Sequence, residues 1–197
     1  MAIVSISDGN VKMGRIPGFS LPPILSCRTG VPCAKRVPGK KLPPCYAMKS
    51  WTQYPATREA WMRNLDAVYA GKFAGELDAI LGRMRKRLFR IHPAGDFESS
   101  QYLSLWKELA ERHPEKRFLA FTKQDFYFAD CPDNLRIVWS AWPGWAVEPP
   151  EGLPVAYVDG LGEDRIPGDA WRCSGRCDDC GACWSLEPGE AVAFPLH

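Results

Sequence analysis

The chain has 197 residues, enough for one hydrophobic core, and its 46% apolar and 24% charged residues fall in the ordinary globular range. No apolar run approaches a membrane span and no charged-then-apolar signal region opens the sequence, which argues against spanning or exported classes and for a single domain in reducing cytoplasm. The net charge of +2 hides an asymmetry: Val11 to Arg63 holds ten Lys or Arg against one acid, Glu59, whereas Asp125 to the end holds four against thirteen. A basic first third suits a small anionic cofactor or substrate, or the phosphates of a nucleic acid. Basic and acidic ends pairing across one domain is the plainer alternative.

In chain order, residues 14–56 carry eight prolines, four glycines and three cysteines with no sustained period. A long irregular segment of this kind is usually functional or tied down by a ligand. Order begins after it. In "TREAWMRNLDAVYAG", Trp61, Leu65, Val68 and Tyr69 share one helical face, and in "KFAGELDAILGRMRKRL" Phe73, Leu77, Ile80, Leu81 and Met84 do the same. "LFRIH" (88–92) reads as a strand that leads into the turn "PAGD". The helix of "ESSQYLSLWKELAERHP" follows, with Tyr102, Leu105, Trp106 and Leu109 on one face. "RFLAFT", "LRIVWS" and "PVAYV" read as three further strands.

Strands alternating with helices imply crossovers and a mostly parallel sheet. The expected fold is therefore α/β, either a partial (β/α) barrel or an open, mostly parallel sheet. It carries a cysteine-rich irregular N-terminal segment (14–56), a β/α core (57–160) and a C-terminal cysteine loop (170–184) in a single domain, 1–197. Ligands bind such sheets beyond the carboxyl ends of the strands, so "PAGDF", "KQDF" and "AWPGW" should share a rim.

Eight cysteines in a reducing compartment suggest metal or redox chemistry rather than disulfides. "RCSGRCDDCGACW" sets Cys173, Cys177, Cys180 and Cys183 at C-x3-C-x2-C-x2-C, with Gly175 and Gly181 free to bend the loop. Four thiolates in one short loop suit a [4Fe–4S] cluster, with zinc the alternative at these cysteines. Cys27, Cys33 and Cys45 are spaced C-x5-C-x11-C beside Arg28, Lys35, Arg36, Lys40 and Lys41, cations that would favour thiolates. Three thiolates on a cubane leave one iron open. Cys131 stands alone and reads as a small buried residue.

"PGFSLPPILSC", "CYAMK", "RIHPAGDFESSQYLSLW", "FLAFTK" and "CDDCGACW" together resemble the phage "gene product eighty-eight" family, from about residue 17 to residue 184. If the chain is phage-encoded, the cytoplasm is that of the host cell. More loosely, a cysteine-rich loop, a helix and a strand ending in a glycine–acid turn resemble the opening of radical S-adenosylmethionine (SAM) enzymes. That resemblance implies a [4Fe–4S] cluster on Cys27, Cys33 and Cys45 whose open iron binds SAM. It makes Tyr46 a neighbour of the adenine, Gly95 and Asp96 the turn at the amino group, and the C-terminal four an auxiliary cluster. One or two clusters fit the seven cysteines, since a cluster could also combine Cys45 with three of the C-terminal four.

Other residues carry weaker signals. Asp96 reads as the N-cap of a helix over 97–112 or as a ligand contact. His92 reads as a satisfied core histidine in preference to a rim acid–base. Lys123 is a candidate for an anionic ligand, and Trp142, with Trp139 and Trp145, could stack an adenine or base or fill space beside a cofactor. No catalytic residue is identifiable. The expectation is an iron–sulfur protein, radical-SAM-like or of related redox chemistry, with an electron donor as partner and substrate unspecified. Two alternatives stand beside it: a non-catalytic metal-stapled module binding nucleic acid, and an iron–sulfur redox sensor or electron carrier.

Overall fold

The four apolar stretches read as strands all enter one sheet, and four short strands without a readable period join them. The structure, a computed structural model, describes residues 4–145, 147–160 and 165–195. Its strands are β1 (Ile6–Ser7), β2 (Gly18–Phe19), β3 (Leu88–Ile91), β4 (Arg117–Thr122), β5 (Leu135–Ser140), β6 (Val155–Asp159), β7 (Trp171–Arg172) and β8 (Ala191–Pro195). Its helices are α1 (Ala47–Gln53), α2 (Pro55–Tyr69), α3 (Phe73–Arg83), α4 (Ser100–Arg112) and the single turn α5 (Cys177–Cys180). The sheet order is β1-β2-β3-β4-β5-β6-β8-β7, parallel throughout except for the antiparallel β1–β2 pair. The fold is α/β with a mostly parallel sheet, and its two edges, β1 and β7, are not paired with each other.

Strand order determines which face each crossover covers. From β2 to β6 the chain steps in one direction, so right-handed crossovers all fall on one face. That face carries the larger core: Phe89, Ile91, Phe118, Ala120, Leu135 and Ile137 from the strands meet Leu65, Leu77, Leu81, Trp106 and Leu109 from the helices. The step from β7 back to β8 reverses direction, so its crossover must cover the opposite face. There Leu119, Val138 and Val192 pack on Trp184, Leu186 and, from the N-terminal segment, Met13 and Ile16. Alternation along β4 serves both faces at once, and each is apolar because each is covered.

The helices mostly follow their periodicity. α3 buries Phe73, Leu77 and Leu81, and α4 buries Tyr102, Leu103, Trp106, Leu109 and Ala110. In α2 the buried stripe is rotated from the expected one onto Asn64, Leu65 and Ala67, and Tyr69 is left exposed. The reason is polar. Asn64 Nδ2 donates to the carbonyls of Ser5 and Ser20 at 2.9 and 2.8 Å while its Oδ1 accepts from the Ser5 N–H at 2.7 Å, so the sheet edge captures that side of the helix. Among the described residues, no helix is long and apolar enough to cross a membrane.

Candidate metal centre at the strand ends

The segment after β2 folds back over the turn that follows β3. Leu21 N–H donates to Ala94 O (3.0 Å), Asp96 N–H to Ser26 Oγ (3.2 Å), Ser26 Oγ to Pro22 O (2.8 Å), and Tyr46 O–H to Pro93 O. Gly95 makes this closeness possible: at φ +83° a Cβ there would sit 2.5 Å from Ser26 Oγ and 2.8 Å from the Leu21 carbonyl oxygen. Arg28 adds an ion pair to Asp125 at 2.9 Å. Cys27, Cys33 and Cys45 are thereby held half-buried at the carboxyl ends of β2 and β3, close enough for Cys33 and Cys45 to act on Cys27 electrostatically.

Burial governs these thiols. It pushes Cys27 up to about 12, helped by the Asp96 carboxylate, and raises Cys33 against the pull of the Lys123 ammonium. The sequence-based expectation that neighbouring cations favour thiolates is corrected for these two: Lys35, Arg36, Lys40 and Lys41 are exposed and do not offset desolvation. A metal cation bound at such thiols would draw the protons off.

Asp96 is also corrected as a helix cap. α4 starts at Ser100, and its cap is Ser99, whose Oγ accepts from the Tyr102 N–H at 3.2 Å. Asp96 is instead 5% exposed and clamps two strand ends. Its Oδ1 accepts from Phe97 N–H (2.8 Å) and Thr122 Oγ (2.6 Å), and its Oδ2 from Lys123 N–H (2.8 Å). Burial raises its carboxyl above the usual range despite those donors. Lys123 Nζ donates to Ser140 Oγ at 2.7 Å and lies 5.7 Å from the centre of the Trp142 ring, and Trp139 stacks on Trp145 at 5.5 Å. Thus Gly95, Asp96, Lys123 and Trp142 share the rim expected of them, beside Cys27 and Cys33. Tyr46 joins through its hydroxyl although the residue as a whole is 66% exposed.

The C-terminal cysteines lie in the β7–β8 crossover, on the opposite face. All four, with Trp171, Trp184 and Val192, line one small cavity. Cys173 N–H donates to Ala193 O at 2.9 Å and Cys177 N–H to Lys12 O at 3.0 Å, while Trp184 Nε1 donates to Arg117 O at 3.1 Å and pins the loop beneath β3 and β4. Cys173, Cys177 and Cys183 pack against the core of this face, and Cys180 is exposed. Burial pushes Cys183 up to about 12 and raises Cys177, with the Arg90 guanidinium opposing it at both. Among the described residues, no three His, Cys, Asp or Glu side chains are gathered as ligands of a single metal ion.

His92 is a core histidine, 1% exposed, but only half satisfied: Nε2 is hydrogen-bonded to Tyr102 Oη at 3.0 Å, Nδ1 is buried without a partner, and burial pushes its pKa down to about 3. Cys131 packs alone against the helix-covered core. Arg90 was not singled out in the sequence. A cation inside the apolar run "LFRIH", in a sheet covered on both faces, was the available signal.

Among the comparisons with known proteins, the family model described as Gene product 88 matches residues 5–143. A curated relative, the Gene 88 protein of Mycobacterium phage L5, is 29% identical over 125 residues that cover 51% of this chain and 52% of the relative. The chain thus spans about half the length of the curated relative it matches. No solved structure matches. The chain belongs to the gene product 88 family.

Proposed function

We propose that this member of the gene product 88 family is an iron–sulfur protein of redox function, acting in a reducing host cytoplasm. Its rim site, Cys27, Cys33 and Cys45, would hold a [4Fe–4S] cluster with one open iron, and Cys173, Cys177, Cys180 and Cys183 would hold a second. One observation carries the reading: seven of the eight cysteines fall into two groups on this fold, one at the strand ends and one around a single cavity. Four thiols in one short loop suit the closely spaced ligands of a cubane, with a tetrahedral zinc the alternative at those cysteines.

The open iron is where the residues of the rim matter. Lys123 supplies a positive charge for a small anionic ligand, the Trp142 and Tyr46 rings offer stacking faces, and the Asp96 clamp holds the floor of the site. SAM is the probe that the loose likeness to radical SAM enzymes suggests. The comparisons bear on the gene product 88 family and add nothing to that likeness. In reduced, anaerobically reconstituted protein, adding SAM should change the paramagnetic resonance signal of the rim cluster and leave the other unchanged. A signal unaffected by SAM at millimolar concentration removes SAM as the ligand, and the absence of any cluster signal removes the whole reading.

A second reading has its own observation. Residues 35–42 are exposed throughout and include Lys35, Arg36, Lys40 and Lys41, a surface suited to nucleic-acid phosphates. Binding of a single-stranded oligonucleotide that weakens steeply with salt, by apo and cluster-loaded protein alike, would favour that reading over redox chemistry.

A further inference from the structure

Two buried donors at the rim have no acceptor in the fold. Arg28 is held at one arm only: Nη2 pairs with Asp125 Oδ2 at 2.9 Å, while Nη1 is buried without a partner among the described residues. Its guanidinium lies 5.9 Å from the centre of the Trp145 ring, and Trp145 stacks on Trp139 at 5.5 Å and 13°. Trp139 is fully buried, and its Nε1, which can only donate, likewise has no partner. The chain turns from Trp142 to Trp145, with Trp145 N–H donating to Trp142 O at 3.0 Å. Arg165 fixes that turn, donating to the same Trp142 carbonyl at 3.1 Å and to that of Trp145 at 3.3 Å. Lys123 stands at the other end of the turn, its Nζ 5.7 Å from the centre of the Trp142 ring. Its hydrogen-bond partner is Ser140 Oγ, and it has no ion pair among the described residues.

From these donors we propose that the tryptophan turn borders an oxyanion site. Arg28 Nη1 and Trp139 Nε1 donate there to the oxygens of a carboxylate or phosphate, and Lys123 adds its charge. The inference rests on the reading of the rim as the place of a small anion, and it requires no cluster. A buried donor left without an acceptor is costly, most of all on a charged group. The oxygens of an anion supply acceptors and also the sign that the guanidinium calls for, and such charge-assisted bonds are the stronger ones. Arginine suits the task because its fork is rigid: with Asp125 anchoring one arm, the other is already aimed before a ligand arrives.

The test is the tryptophan fluorescence of the full chain, titrated with inorganic phosphate and separately with acetate at constant ionic strength. A saturable change with at least one of them is expected. A response to phosphate alone marks a phosphorylated ligand, and a response to acetate alone marks a carboxylate. R28Q should weaken the affinity by about tenfold, the worth of a lost hydrogen bond to a charged group. W139F, which keeps a ring against Trp145 but loses the N–H, should weaken it as well, with Trp145 left to report. D125N separates binding from folding. It breaks the same ion pair but keeps Arg28, so it should bind at least as tightly as the unsubstituted chain. Loss of binding in D125N equal to that in R28Q would mean that the ion pair merely shapes the loop, and it overturns the proposal. So does equal affinity in R28Q, or no saturable response to either anion at millimolar concentration. A chain without iron and sulfide that responds as expected upholds this inference and removes the iron–sulfur reading, whereas a cluster-loaded chain without the response does the reverse.

Discussion

Asp96 and Ser99 lie three residues apart at one strand–helix junction and do different work. Removing the Ser99 hydroxyl leaves one helical N–H without its cap, and Ser99→Ala should cost about 1 kcal/mol. Removing the Asp96 carboxylate strands three donors, among them the fully buried Thr122 hydroxyl, so Asp96→Ala should cost about 3 kcal/mol. Urea unfolding of the two variants checks the ranking, and equal losses would contradict the clamp. His92 makes a prediction in pH. Its native pKa is depressed to about 3 from an ordinary 6.5, so below 6.5 the unfolded chain binds a proton that the native state refuses. The contribution of His92 to stability is therefore whole above 6.5 and is lost as pH falls, by about 1 kcal/mol per unit until the native pKa is reached. His92→Gln should flatten that slope between pH 6.5 and about 5 in denaturant titrations.

At the scale of elements, the rim depends on how closely the loop after β2 can approach the turn after β3. Gly95→Ala places a methyl against Ser26 and Leu21, whereas Gly144→Ala, also at positive φ, meets nothing within 4 Å. Both should lose about 1 kcal/mol to backbone strain. Only Gly95→Ala should also displace the Cys27 loop and reduce the iron held there, as iron analysis beside the C-terminal cysteine-to-serine protein would detect. The sequence foretold this rim because "LFRIH", "RFLAFT" and "LRIVWS" carry strong apolar patterns, and parallel order then brings their C-terminal ends together. β1, β2 and β7 are two residues long and have no period to read. β8, "AVAFP", is a five-residue run ending in proline, without the alternation that marks a strand in sequence. The Asp96 clamp was hidden for another reason: its partners Thr122 and Lys123 are distant in sequence, while the local pattern of an acid before a helix favours a cap.

Across the whole molecule, the two crossovers that carry cysteines lie on opposite faces because the direction of strand addition reverses at β7. The sheet thus stands between them. Between Cys27 and Cys45 only Val31 is buried, and residues 35–42 are entirely exposed between two of the proposed ligands, Cys33 and Cys45. Ligation should therefore supply much of the order of that loop. Stripping the metal should open cleavage by a protease specific for Lys and Arg between residues 35 and 42, while the helix-covered core resists. Equal cleavage of apo and loaded protein would contradict this. The central claim is tested most directly by quantifying iron, acid-labile sulfide and zinc in protein purified without oxygen. Two cubane clusters predict about eight irons per chain, an equal amount of sulfide and negligible zinc. Stoichiometric zinc without sulfide would contradict the account.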